Sequence, residues 1–188
     1  HRDFEGLCQF CHARRLLLFS DEVYRESEHD PALTLPAACD RCETALSLGV
    51  TSKTYGLPGL RIGWLASHQR ALLERIAALK DYTTICSSAP SEFLAELALR
   101  HRQQLAERSR RIILDNLHLL DDFFARQAER LEWVRPQAGP IGFPRLLNGS
   151  ADEFCRQLVE QKSVLLLPGS LFDCPGEHFR LGFGRKNL

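Results

Sequence analysis

In TSKTYGLPGLRIGW, residues 51–64, one lysine and one arginine stand on either side of a glycine–proline turn, with hydroxyl residues just before the lysine. Lys53 offers an amine that becomes a nucleophile when its pKa is lowered. Arg61 offers a planar guanidinium suited to a phosphate held by two parallel hydrogen bonds. Thr51 and Ser52 add hydroxyl donors. Upstream, the apolar run LLLFS ends at Asp21, and Tyr24 follows three residues later. Ligands of open α/β sheets bind outside the carboxyl ends of strands, so a carboxylate there is placed to meet one. Arg180, in HFRLGFG, lies on a strand candidate near the end of the chain. Taken singly, these residues have ordinary readings: Asp21 as a turn or cap residue, Tyr24 as a core tyrosine, the cations as surface charges. Their order and spacing as a set point to one site.

An amine for a Schiff base, a carboxylate facing a ring nitrogen and donors for a phosphate are together what pyridoxal phosphate requires. SDEVYR followed by SLGVTSKTYGLPGLRIGW resembles the signature of the fold-type I, pyridoxal-phosphate-dependent aminotransferases of class I/II. VLLLPGSLFD followed by HFRLGFGR resembles that family's C-terminal domain, so the likeness extends from Leu16 to Arg185. The resemblance implies that Lys53 forms the Schiff base and serves as general acid/base, and that Asp21 pairs with the pyridinium nitrogen. It also implies that Tyr24 hydrogen-bonds the ring oxygen, Ser52 and Arg61 hold the phosphate, and Arg180 binds the substrate carboxylate. Where the family often has a phosphate-binding serine, three residues before the lysine, this chain has Val50.

The elements that must position these residues alternate between strand and helix in the first half. Residues 4–14 read as a short helix with Phe4, Leu7, Cys8 and Cys11 inward, followed by LLLFS as a buried parallel strand. TALSLGV and GWLAS read as further strands, with a loop over residues 28–41. QRALLERIAALKDY reads as an amphipathic helix with Leu72, Leu73, Ile76 and Leu79 on one face. CSSAPSEFLAELALRHRQQ and AERSRRIILDNLHLLDDFFARQAERL read as two more helices. Beyond residue 131 glycine and proline break strand-like segments around one helix, ADEFCRQLVEQ. The expected fold is α/β: part of a three-layer, aspartate aminotransferase-like large domain over residues 1–104, with a parallel sheet, and a smaller α+β C-terminal domain over residues 105–188.

Bulk properties agree with such an enzyme. Of 188 residues, 44% are hydrophobic and 26% charged, with a formal net charge of zero, which gives no pull towards nucleic acid or an anionic membrane. No apolar run is long enough to span a bilayer. The chain contains no methionine and stops just after a glycine-punctuated strand, so it is expected to lack the N-terminal part and the C-terminal end of such an enzyme. The family's glycine-rich phosphate turn and its ring-stacking aromatic residue are expected upstream. This fragment by itself then holds only part of a cofactor site.

The seven cysteines offer a rival reading. CQFC (Cys8, Cys11) and CDRC (Cys39, Cys42) are two CxxC pairs, a pattern used by structural zinc sites. The first pair, however, falls on a predicted helix, and a strand and DEVY occupy the gap between the pairs. Reduced thiols packing a helix face and a loop, with no metal, are the expectation, consistent with a cytoplasmic protein.

The function expected from the resemblance is transfer of an amino group between an amino acid and a 2-oxo acid, by a homodimer. The same scaffold supports a decarboxylase, a lyase, a cyclising enzyme, or the aminotransferase-like sensor domain of a transcription regulator.

Overall fold

The structure, a computed structural model, describes residues 2–187. The chain forms two compact units, His1–Ser109 and Arg110–Leu188.

In the first unit, helix α1 (Arg2–Ala13) leads into strands β1 (Leu18–Asp21), β2 (Ala45–Val50) and β3 (Gly63–Ala66), in the order β1-β2-β3. Strand β1 pairs with β2 in parallel, from Leu18 opposite Ala45 to Asp21 opposite Leu48. Strand β3 instead runs antiparallel to β2, with Val50 opposite Gly63. The wholly parallel sheet read from the sequence is therefore corrected to a mixed one. The reason is the connection: residues 51–62 form turns, not a crossover helix, so the chain folds straight back on β2.

The buried strand read from LLLFS is also corrected. Leu16, Leu17 and Phe19 are 47%, 48% and 55% exposed. Strand β1 is an edge strand, and of this run only Leu18 turns towards the small core formed by Cys8, Ala38, Cys42 and Ala45, with Phe4 beside it. Alternation along a strand sends Phe19 to the opposite face. Cys8, Cys11, Cys39 and Cys42 are all buried free thiols. Among the described residues no group of three or more His, Cys, Asp or Glu side chains is arranged to hold a metal ion.

Strand β2 is the centre of the sheet, and Ala45, Leu46 and Ser47 are buried in it. Gly49 is required by packing: a Cβ there would lie 2.4 Å from the Trp64 ring. Gly49→Ala is therefore expected to cost about 1–3 kcal/mol, the usual range for overpacking. Denaturant unfolding checks this, and an unchanged midpoint would show that Trp64 moves aside freely.

Helix α2 (Arg70–Thr83) follows, with Leu72, Leu73 and Ile76 half-buried but Leu79 exposed. Helix α3 (Ala89–Arg100) has Pro90 in its first turn and stops at His101. Proline at that position costs no hydrogen bond, because the first amides of a helix lack intrahelical partners. Helix α4 (Arg102–Arg126) starts immediately after that break.

In the second unit, Ile113, Leu117, Leu120 and Phe124 of α4 form one wall of a core completed by Leu131, Leu146, Ala151, Cys155, Phe179 and Phe183. Short strands β4 (Leu131–Glu132) and β6 (Arg145–Leu146) pair with each other, while β5 (Ile141–Gly142), β8 (Phe179–Gly182) and β7 (Leu167–Pro168) form a second sheet in that order. Helix α5 (Ala151–Lys162) opens with Asp152 and Glu153 and closes with Lys162, charges that complement its dipole. Asn116 donates from Nδ2 to the carbonyls of Phe183 (2.8 Å) and Arg185 (2.6 Å), tying the chain after β8 to α4.

Candidate active site

The site is built on two loops that leave the carboxyl ends of the parallel strands β1 and β2. In the first, Asp21 is the last residue of β1 and is exposed. Its Oδ1 accepts from the Val23 amide (3.2 Å), an Asx-type turn that redirects the chain. Glu22, next to it, points the other way. Its side chain is 12% exposed, and Oε1 accepts from Ala38 N and Ser47 Oγ, both at 2.7 Å. Arg25 Nε pairs with its Oε2 at 3.4 Å. A carboxylate this buried persists only because each oxygen is partnered. Ser27 closes the loop by donating its hydroxyl to Tyr24 O.

The second loop carries the lysine. Thr51 is fully buried. Its amide and its hydroxyl both donate to Ile62 O at 3.1 Å, and its own carbonyl accepts from Leu57 N at 3.0 Å. The Thr51 hydroxyl, noted in the sequence as a donor, uses its hydrogen to close the loop. Within that closure Ser52 is half-buried and Lys53 exposed. Gly56, at φ +68°, donates its amide to Lys53 O (3.0 Å), a turn that a side chain would strain. A short 3₁₀ turn, Pro58–Leu60, then leads to Arg61, which takes the left-handed conformation at φ +55°. Arg61 Nη1 donates to Pro58 O at 3.2 Å, and the side chain is exposed.

Of the residues read from the sequence, Lys53 and Tyr24 are in direct contact: Lys53 Nζ lies 5.7 Å from the centre of the Tyr24 ring. No carboxylate of the described residues forms an ion pair with Lys53. Asp21 heads the loop that carries Tyr24, and Ser52 and Arg61 lie on the loop that carries Lys53. Arg180 belongs to the second unit, on β8, with its guanidinium 5.6 Å from the Phe172 ring centre.

Four residues that the sequence reading passed over hold these loops: Glu22, Glu26, Thr54 and Tyr55. Thr54 Oγ1 donates to Arg25 O (2.9 Å), and the Tyr55 hydroxyl donates to Glu26 Oε2 (3.0 Å). Burial, and then the neighbouring Glu26 carboxylate, push the Tyr55 phenol up to about 12, so it remains a donor at any ordinary pH. A period-two reading of SDE would have found Glu22, since it must face opposite to Asp21. Nothing in the sequence pattern marks the Glu26–Tyr55 pair.

The donor set fits pyridoxal phosphate in kind: an exposed amine without a competing ion pair, a strand-end carboxylate, a phenol, a hydroxyl and a guanidinium. Against known proteins, the family described as aminotransferase class I and II matches residues 1–187. The chain belongs to that family. A PLP-dependent aminotransferase from Streptococcus suis is 32% identical with a TM-score of 0.88, covering 96% of this chain and 47% of its own. A PLP-dependent cyclase, OrfR, is 33% identical with a TM-score of 0.85, covering 95% of this chain and 48% of its own. Capreomycidine synthase of Streptomyces vinaceus is 29% identical over 89% of this chain and 42% of its own length. The fold is thus that of the PLP-dependent transferases, of which this α/β chain supplies part of the large domain. It spans about half the length of the proteins it matches.

Proposed function

We propose that the protein is a pyridoxal-phosphate-dependent aminotransferase that moves an amino group between an amino acid and a 2-oxo acid. The observation that carries this reading is the Lys53 amine, held over the Tyr24 ring beyond the carboxyl ends of β1 and β2 with no carboxylate paired to it. When bound, the cofactor supplies an electron sink for a bond at the substrate Cα. Lys53 would hold it through Nζ and would serve as the acid/base that moves the proton at the substrate Cα. Asp21 would keep the ring nitrogen protonated, Tyr24 would donate to the ring oxygen, and Ser52 and Arg61 would hold the phosphate. In this reading the first unit is the C-terminal part of the cofactor-binding large domain and the second is the small domain. The protein works as a homodimer in the cytoplasm. No described helix is long and apolar enough to cross a membrane.

A second reading, a cyclising enzyme on the same scaffold, is favoured by the likeness to OrfR and to capreomycidine synthase. The two are separated by the visible spectrum of the full-length protein loaded with pyridoxal phosphate, before and after a pool of amino acids is added. Conversion of the bound cofactor to pyridoxamine phosphate, with release of a 2-oxo acid, is the aminotransferase result. A band that amino acids perturb without that conversion supports cyclisation or another reaction. Absence of any band sinks both readings.

Arg180 carries the substrate carboxylate in this proposal. Arg180→Ala is expected to raise the KM for the amino acid about 10- to 100-fold, the worth of a charge-assisted pair, with a smaller change in kcat. An unchanged KM would assign the carboxylate to another cation.

A further inference from the structure

The two loops of the site are joined rung by rung. Lys53 lies over Tyr24; one residue on, Thr54 donates to Arg25 O; one residue further, Tyr55 donates to Glu26. Position n of one loop therefore meets position n of the other across three consecutive residues. The last rung is the one hydrogen bond made between two side chains. Tyr55 is buried to 7% exposure, and Glu26 adopts the left-handed conformation at φ +69°. That is an uncommon backbone state for glutamate, held here by its surroundings. The charges around the rung are Glu26 itself, Arg25 and Arg102.

We infer that Tyr55 and Glu26 are a positioning pair: their hydrogen bond fixes the register of the two loops and so keeps the Lys53 amine over the Tyr24 ring. The pair does not touch the reacting atoms. It acts through Lys53, and so rests on the proposed role of that residue, but the placement itself is testable without the cofactor. Without the bond, the lysine loop loses its only hydrogen bond between two side chains to the Tyr24 loop among the described residues. Lys53 then samples orientations away from the ring, and misplacement of a reacting group by about 1 Å is enough to cost on the order of 100-fold in rate.

The test reads geometry first. Lysines of the cofactor-free, full-length protein are methylated with ¹³C-formaldehyde, and the Lys53 signal is assigned by its absence in Lys53→Ala. The Tyr24 ring current displaces that signal from the position of a free methylated lysine. Tyr55→Phe and Glu26→Ala, which break the bond from opposite sides, are expected to return it to the free position. Glu26→Gln keeps an oxygen acceptor and is expected to retain the displacement. In the loaded enzyme the first two lower kcat 10- to 100-fold with little change in KM. A Lys53 signal that stays displaced in both Tyr55→Phe and Glu26→Ala overturns the inference. Loss of the displacement in Glu26→Gln as well would also overturn it, because charge, not the bond, would be responsible. If the signal moves as expected while pyridoxal phosphate fails to bind the wild-type protein, the positioning pair stands and the proposed function falls.

Discussion

Lys53→Ala is expected to reduce turnover by roughly 10⁴-fold or more, because in the proposed mechanism one residue supplies both the covalent anchor and a proton carrier that alone is worth about 10²–10⁴. The visible band of the loaded protein should vanish with it. Lys53→Arg separates charge from nucleophilicity. It keeps a cation that can sit over the Tyr24 ring, but a guanidinium stays protonated and cannot attack a carbonyl carbon. Both variants should therefore be inactive and lack the band, although only Lys53→Ala loses the ring contact seen at 5.7 Å. Stopped-flow spectra and initial rates with saturating pyridoxal phosphate measure both effects. Turnover of Lys53→Ala within tenfold of wild type would remove Lys53 from the mechanism.

Asp21 carries the next largest effect. Asp21→Asn is expected to lower kcat by about 10²–10³, the usual loss when one preorganised electrostatic contact to a developing charge is removed. The choice of asparagine matters. Asp21 Oδ1 also accepts from the Val23 amide, and an asparagine oxygen can keep that bond. The turn after β1 therefore survives while the negative charge is lost. The Lys53-dependent band should persist, and the KM for the amino acid should change little, placing the loss in the chemical step. Full activity in Asp21→Asn, together with loss of stability in Asp21→Ala, would reduce Asp21 to a turn residue.

Much of this was legible in the sequence, and particular residues show why the rest was not. The helix at 70–83 and most of the one at 102–126 follow from period and composition, while Asp21, Tyr24, Lys53 and Arg61 are singled out by their order and by the family resemblance of the segments that carry them. Sheet direction did not follow, because the alternation of strand and helix candidates in the first half favours a parallel sheet; what decides it is the Thr51–Ile62 closure, which folds the chain straight back on β2. The exposure of Phe19 was hidden because an apolar run reads as buried whether or not its outer face is covered. Thr51 and Ser52 look equivalent as hydroxyl residues, yet one is fully buried and the other half-buried. The Tyr55–Glu26 rung joins positions 29 residues apart, beyond the reach of any local pattern.

The Thr51–Ile62 closure has a consequence for redesign. It makes residues 52–61 a loop of metered length, pinned at both ends by one carbonyl that accepts two hydrogen bonds. Substitutions within the loop change what it offers to a ligand, whereas an inserted or deleted residue changes the spacing between amine and guanidinium without loosening either end. For anyone grafting this segment onto another sheet, its residue count is the quantity to keep, and its side chains are the quantity free to vary.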